Sequence, residues 1–149
     1  PILIETLTDN KNRAASSIRT VLQKNGGRLG ESGSTTHLFY NCGVIHINKE
    51  TFNEDEIFEM AINAGAKDCF HLENTHEIIS EKEDFYKVKS ELEKKLDNFQ
   101  YSGIEWRSIS YLSLNKNQSE KILEILESLE ELVDVQNIYT NLNLNNIEL

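Results

Sequence analysis

Apolar residues recur along the chain in two patterns, and these predict short strands that alternate with longer helices. Residues 2–8 are mostly apolar and β-branched, which predicts an opening strand. A helix is predicted at about residues 11–25, because its apolar side chains recur at helical spacing. Gly26 and Gly27 are expected to end it, since glycine readily adopts the left-handed conformation after a helix. The chain therefore opens with a β-α unit.

A hairpin is predicted next. Residues 36–40 and 44–47 have strand character, and they flank the turn-like sequence of residues 41–43. This pairing would set His37 opposite His46. Two cross-strand histidines make at most half of a zinc site, and no other ligand has suitable spacing. We therefore interpret both as half-exposed, hydrogen-bonded side chains and expect no metal and no other cofactor. His71 and His76 flank a predicted turn and are expected at the surface.

One capping pattern predicts three further helices. Asn53, Ser80 and Asn117 each stand three positions before a glutamate, an arrangement that satisfies free N–H groups at a helix start. The last of these helices has glutamates on one side and an apolar stripe on the other. The stripe comprises Ile122, Leu126, Leu129 and Val133. Short strands are predicted at residues 69–73, 77–80, 104–109, 111–114 and 135–140.

This order of elements favours the α+β class over a doubly wound parallel sheet, because the strands are short and some are joined as hairpins. The opening and closing β-α-β segments each form half of a ferredoxin-like unit. We therefore predict a split ferredoxin-like α/β sandwich formed by residues 1–50 and 111–149. A second, small α+β domain of order α-β-β-α-β is predicted as an insertion at residues 52–110.

The charge is unevenly distributed. The chain has 15 basic and 25 acidic side chains, a formal net charge of −10. Residues 1–46 nevertheless carry a net charge of +2, and the remainder carries −12. An acidic protein of this kind is not a general polyanion binder. Any contact with nucleic acid is therefore expected in the first third of the chain, or in a segment outside this sequence.

Five basic side chains form the candidate contact. Two of them lie in the first turn of the first predicted helix, whereas the first turns of the other three predicted helices are acidic, as the helix dipole favours. Three explanations are open: a phosphate or other anion at the helix start, neutralisation through Asp9 or Glu5, or a small energetic cost that the fold tolerates. The five candidates are Lys11, Arg13, Arg19, Lys24 and Arg28.

Other chemistry is sparse. The glycine-rich loop at residues 26–33 follows a helix, whereas phosphate-binding glycine loops follow a strand, so we interpret it as a helix stop and flexible loop. No catalytic motif or nucleophile with a placed base is found, and we expect no enzyme activity. Cys42 and Cys69 lack disulfide-framework or zinc-knuckle spacing, which indicates a reducing compartment. Neither a membrane span nor a signal peptide is evident.

A series of short segments lies in order over nearly the whole chain and together forms a specific pattern. The segments are residues 7–10 (LTDN), 12–13 (NR), 24–27 (KNGG), 29–30 (LG), 32–34 (SGS), 38–39 (LF), 43–45 (GVI), 64–68 (AGAKD) and 135–141 (VQNIYTN). This pattern resembles the YebC/PmpR family. Members are described as probable DNA-binding transcriptional regulators or as ribosome-associated translation factors, including the mitochondrial translational activator of cytochrome oxidase.

The resemblance implies the second and third domains of a three-domain fold, both similar to ferredoxin-like sandwiches. The family's N-terminal helical domain would precede residue 1, and its proline near residues 108–110 is absent. The resemblance identifies no catalytic residue.

We expect a YebC-type regulator of gene expression that binds DNA or ribosomal RNA through the basic first helix and following loop. One alternative is a ribosome-associated translation factor that uses the same surface; another is a protein-interaction module whose acidic lobes bind a basic partner. No membrane and no small-molecule substrate is expected. The expected location is the cytoplasm, or the mitochondrion if the source is eukaryotic.

Overall fold

A computed structural model describes residues 1–143 of the chain. The α+β class is confirmed, since helices and antiparallel strand pairs share the described chain. The elements are β1 (Ile2–Thr6), α1 (Lys11–Lys24), β2 (Phe39–Asn48), α2 (Glu54–Ala64), β3 (Asp68–His71), β4 (Thr75–Glu81), α3 (Phe85–Glu93), β5 (Tyr101–Ser108), α4 (Lys116–Glu130) and β6 (Val135–Thr140), with short 3₁₀ helices at Thr36–Leu38 and Lys82–Asp84. None of the helices within these residues is long and apolar enough to cross a membrane.

The chain forms two compact units. The outer unit comprises residues 1–40 and the described residues from 107 onward, and the middle unit comprises residues 41–106. The predicted boundaries instead gave residues 41–50 to the outer domain. That the two parts are separately stable stays a prediction.

The outer unit pairs the first and the last strands of the described residues. β1 and β6 form an antiparallel two-stranded sheet, with Ile2 opposite Thr140 and Ile4 opposite Ile138. Its core comprises Ile18, Leu22 and Leu129, against which residues of β1 and β6 pack. Residues 111–114 were predicted as a strand, but among residues 1–143 they supply an isolated bridge between Leu112 and Leu142 instead.

The middle unit has the complete order β-α-β-β-α-β of a ferredoxin-like fold. Its sheet has the strand order β3-β4-β2-β5, and β2 and β4 are antiparallel neighbours. Helices α2 and α3 contribute Ile57, Ala61, Val88 and Leu92 to a core shared with the strands. The sequence interpretation missed the first strand of this unit because it assigned residues 44–47 to a hairpin.

The predicted hairpin is wrong. Residues 39–48 form one continuous strand, and His37 lies on the preceding 3₁₀ helix, so it cannot pair with His46. Gly43 marks a close approach rather than a turn, since a Cβ there would overlap Ser80 Oγ and the Phe85 ring. A glycine required by packing has the same sequence signature as one required by a turn.

The capping pattern predicts some helix starts correctly. Asn53 caps α2 as predicted, with its side chain accepting from the Glu56 N–H. Helix α4 instead begins after Asn115, whose side chain accepts from the Gln118 N–H, so the prediction at Asn117 is wrong by two residues. Ser80 is buried in β4 and caps no helix.

The predicted apolar stripe of α4 extends too far. Leu126 and Leu129 are buried, and Ile122 is half-buried. The helix ends at Glu130, so Val133 leaves the stripe and is 88% exposed. The buried side of this helix is therefore shorter than helical periodicity alone indicates.

Candidate nucleic-acid interface

Helix α1 places most of the candidate residues by its amphipathic pattern. Ala14, Ile18 and Leu22 are buried, which fixes the side of the helix that faces the outer-unit core. The four helical candidates, and the loop residue that follows, are all exposed. Asn10 caps the helix, its side chain accepting from the Arg13 N–H.

The Arg13 side chain forms ion pairs with two carboxylates of the outer unit. Its Nε and Nη2 atoms donate to the two carboxylate oxygens of Asp134, at 3.0 and 2.7 Å. Nη2 also lies 3.1 Å from Asp9 Oδ1, so the predicted neutralisation by Asp9 is present. Asp134 interacts more strongly with Arg13 than Asp9 does, because it accepts two hydrogen bonds rather than one. No local signal could have identified Asp134, because 121 positions separate the two residues. Arg13 therefore has a structural role.

This ion pair makes the outer unit sensitive to acid. The hydrogen bond from Arg13 lowers the pKa of Asp134, and the same contact raises the pKa of Arg13. A carboxyl with a lowered folded-state pKa contributes stability above its unfolded value, near pH 4, which is lost as the pH falls through the folded value. The contribution is therefore fully present at neutral pH.

We expect Asp134→Asn to lower the melting temperature of the outer unit at pH 7, because it leaves Arg13 without its bidentate partner. The difference from the parent should shrink as the pH falls from about 4 toward 2, where the parent carboxyl also becomes neutral. Thermal melts followed by circular dichroism across this range measure the effect. A difference that stays constant with pH would contradict the assignment.

The other four candidates remain available to a partner. Among residues 1–143, no carboxylate forms an ion pair with any of them. We call this set the basic surface. It consists of Lys11, Arg19, Lys24 and Arg28.

The loop after α1 begins with a Schellman motif. Gly27 N–H donates to Leu22 O, Gly26 N–H donates to Gln23 O, and Gly26 has a φ of 79°. The predicted helix stop is confirmed. Beyond it, the backbone N–H groups of residues 28–33 have no acceptor among the described residues.

A cavity of about 430 Å³ lies within the outer unit beneath this loop. Ile2, Ile4, Leu22 and Ile122 supply its aliphatic lining. The loop contributes residues 27–35 to the lining. Sequence reasoning missed this cavity, because it is formed by residues from opposite ends of the chain.

An acidic first turn distinguishes α2 from α1, but α3 and α4 lack one as α1 does, contrary to the sequence interpretation. Helix α4 begins at Lys116 and has no acidic residue in its first turn. Helix α3 also lacks one, although Glu83 and Asp84 precede it in the 3₁₀ helix. The basic surface is therefore distinguished by its exposure and by its cations without ion-pair partners in the described chain.

His37 lies on the 3₁₀ helix of the outer unit and is exposed, rather than half-exposed as predicted. The other histidines have structural partners in the middle unit. His46 Nε2 lies 2.8 Å from Glu77 Oε2, so His46 is half-exposed and hydrogen-bonded as predicted. His76 is fully buried, which corrects its predicted surface position. Its Nε2 lies 2.9 Å from the Phe52 carbonyl oxygen and its Nδ1 lies 2.8 Å from His71 Nδ1.

The cysteines offer no reactive site. Both are buried free thiols, and burial raises the pKa of Cys69 to about 11, which suppresses the reactive thiolate. Within the part of the chain that the structure describes, no three histidine, cysteine or acidic side chains are grouped as metal ligands.

Together these features define a two-unit α+β protein with a local basic surface on an acidic chain. The chain belongs to the TACO1/YebC family: a family model described as the TACO1/YebC second and third domain matches residues 1–142. This confirms the family that the sequence motifs indicated.

Individual relatives agree with this assignment. A probable transcriptional regulatory protein of Pelagibacter ubique is 42% identical over 145 residues, which cover 97% of this chain and 60% of the relative. One from Zymomonas mobilis is 39% identical over 143 residues, with coverage of 96% and 57%. A crystal structure of a conserved hypothetical protein from Aquifex aeolicus is similar with a TM-score of 0.85 and 36% identity, covering 95% of this chain and 59% of that protein. This chain thus spans 57–60% of the length of these proteins.

Proposed function

We propose that this chain belongs to a regulator of gene expression and contacts nucleic acid through the basic surface. The relatives' names, probable transcriptional regulatory proteins, support the regulatory role. The observation that carries the contact is the set of four exposed cations without ion-pair partners in the described chain, on one helix and the loop after it. Free cations of this kind suit the phosphates of DNA or ribosomal RNA.

The charge of the middle unit supports this choice of surface. Residues 41–106 contain seven basic and 15 acidic side chains, a net charge of −8. Such a unit repels a polyanion, whereas residues 1–40 carry a net charge of +2. The outer unit as a whole is less acidic, with a net charge of −2. We therefore propose that its basic first 40 residues are the part of the chain that approaches nucleic acid.

Phosphate contacts position a protein without reading sequence, and they respond steeply to salt. For this chain alone we expect a dissociation constant no tighter than about 10⁻⁵ M at physiological salt. Four phosphate contacts on duplex DNA imply an affinity loss on the order of 10²-fold between about 50 and about 200 mM salt. We propose no catalytic step, metal or cofactor for this activity.

The test is charge reversal on the basic surface. We expect a variant with Arg19→Glu, Lys24→Glu and Arg28→Glu to lose binding to labelled ribosomal RNA and duplex DNA by about tenfold or more, because each change removes a phosphate contact. Fluorescence anisotropy at two salt concentrations measures the loss, and circular dichroism checks the fold. Arg13 is left unchanged because of its structural role.

A matched control carries the same change in net charge on the middle unit. It combines Lys82→Glu, Lys87→Glu and Lys95→Glu, all at exposed positions. We expect this variant to retain most of the binding of the parent. Equal losses in the two variants would mean that net charge alone governs binding, and would overturn the proposed surface.

A further inference from the structure

The cavity beneath the loop of residues 26–35 has no role in the proposed phosphate contacts. Its size, its lining and its charged residues are nevertheless those of a ligand site. Its volume of about 430 Å³ falls within the range of small-ligand sites. The aliphatic lining from Ile2, Ile4, Leu22 and Ile122 suits a flat, weakly hydrated group. The loop forms part of the wall, and the backbone N–H groups of residues 28–33, most of them at exposed positions, have no acceptor among the described residues.

Two charged side chains of opposite sign line this cavity. Arg28 belongs to the basic surface, and Glu31 stands three residues later on the same loop. A guanidinium binds phosphate, whereas a carboxylate accepts from the exocyclic amino group of a base. A simple anion would be attracted by Arg28 and repelled by Glu31. A nucleotide has a chemical partner for both.

We propose that the cavity receives the base of one unpaired nucleotide, with Arg28 and the loop N–H groups at its phosphate and Glu31 at the amino edge of its base. This inference rests on the proposed function and narrows it. A base in a duplex cannot enter the cavity without leaving its stack, whereas unpaired bases in RNA loops are free to do so. The preferred ligand is therefore single-stranded nucleic acid with a base that carries an amino group.

The test uses an end-labelled single strand containing 2-aminopurine, an adenine analogue whose emission rises when it leaves a base stack. We expect its emission to increase when the 149-residue chain binds the single strand, and to stay unchanged in the matching duplex. Ile122→Trp fills part of the cavity, so it should remove the emission change and weaken single-strand binding several-fold. Binding to the duplex should stay within about twofold, since duplex contacts use only the basic surface.

Two further variants provide a control for the cavity substitution and a second, independent readout. Gln118→Trp puts the same side chain on the exposed side of α4 and should behave like the parent. Glu31→Leu removes the side-chain acceptor at an exposed position, and it should reduce the preference for cytosine- or adenine-rich strands over uracil-rich ones. This second readout stands even if Ile122→Trp does not fold.

The outcomes separate this inference from the proposed function. Unchanged emission and unchanged base preference, together with loss of binding in the charge-reversed variant, would overturn the cavity assignment and leave the phosphate contact standing. Binding of neither strand by the parent would overturn both. Loss of the emission change in Ile122→Trp but not in Gln118→Trp supports the cavity assignment.

Discussion

Replacing Leu129 with alanine is expected to lower the free energy of unfolding of the outer unit by about 2–5 kcal/mol. Leu129 is fully buried and lies in the core with Ile18 and Leu22. Its removal leaves a void between α1 and α4, because neighbouring side chains collapse only partly into such a space. Urea unfolding followed by circular dichroism measures the loss.

Val133 provides the matched control. It follows α4 and is 88% exposed, so Val133→Ala should change stability by less than about 0.5 kcal/mol. The apolar stripe read from the sequence assigns both residues to the same buried side, whereas the structure separates them. Similar losses in the two variants would contradict the observed end of α4.

Replacing Gly43 with alanine is expected to destabilise the middle unit by about 1–3 kcal/mol. The added Cβ would overlap Ser80 Oγ and the Phe85 ring, and Gly43 is buried on a continuous strand. In an unobstructed strand the same substitution would stabilise by roughly 0.5–1 kcal/mol, because alanine loses less conformational freedom than glycine. The sign of the change in urea unfolding therefore tests the close packing.

Substitution of Ser80 tests which neighbouring group obstructs a side chain at position 43. Ser80 Oγ is buried and has no hydrogen-bond partner among the described residues, so Ser80→Ala alone should be close to neutral. Combined with Gly43→Ala it should recover part of the lost stability, since it removes the nearest overlapping atom. A double variant no more stable than Gly43→Ala would indicate that the Phe85 ring is the main obstacle instead.

Features determined by neighbouring residues were predictable from the sequence. The α+β class follows from short strands alternating with amphipathic helices, and β6 has the predicted bounds at Val135–Thr140. The helix stop at Gly26 and the cap at Asn53 depend only on local backbone conformation and hydrogen bonds. Such signals are strong because each is contained within a few positions.

Features determined by distant residues were not predictable. The burial of His76 depends on the Phe52 carbonyl and on His71 across a strand pair. The role of Gly43 depends on Phe85, which lies 42 positions later. The capping pattern failed at Ser80 because a buried strand position outweighs a local cap. In each case a tertiary contact decided between two local interpretations.

The candidate site likewise has some features that were predictable from the sequence and others that were not. The sequence identified the basic residues of the first helix and loop, and their exposure follows from the helical pattern. It could not distinguish Arg13 from the others, because that distinction depends on Asp134 at the start of the last strand. The cavity likewise needs Ile2 and Ile122 from opposite ends of the chain.

The central claim is that nucleic acid contacts the outer unit at the basic surface and its loop. Ultraviolet crosslinking of the chain to single-stranded RNA, followed by mass spectrometry of the crosslinked peptides, tests this claim most directly. Our account predicts crosslinks within residues 11–35 that disappear in the charge-reversed variant. Crosslinks confined to residues 41–106, or unchanged by charge reversal, would contradict it.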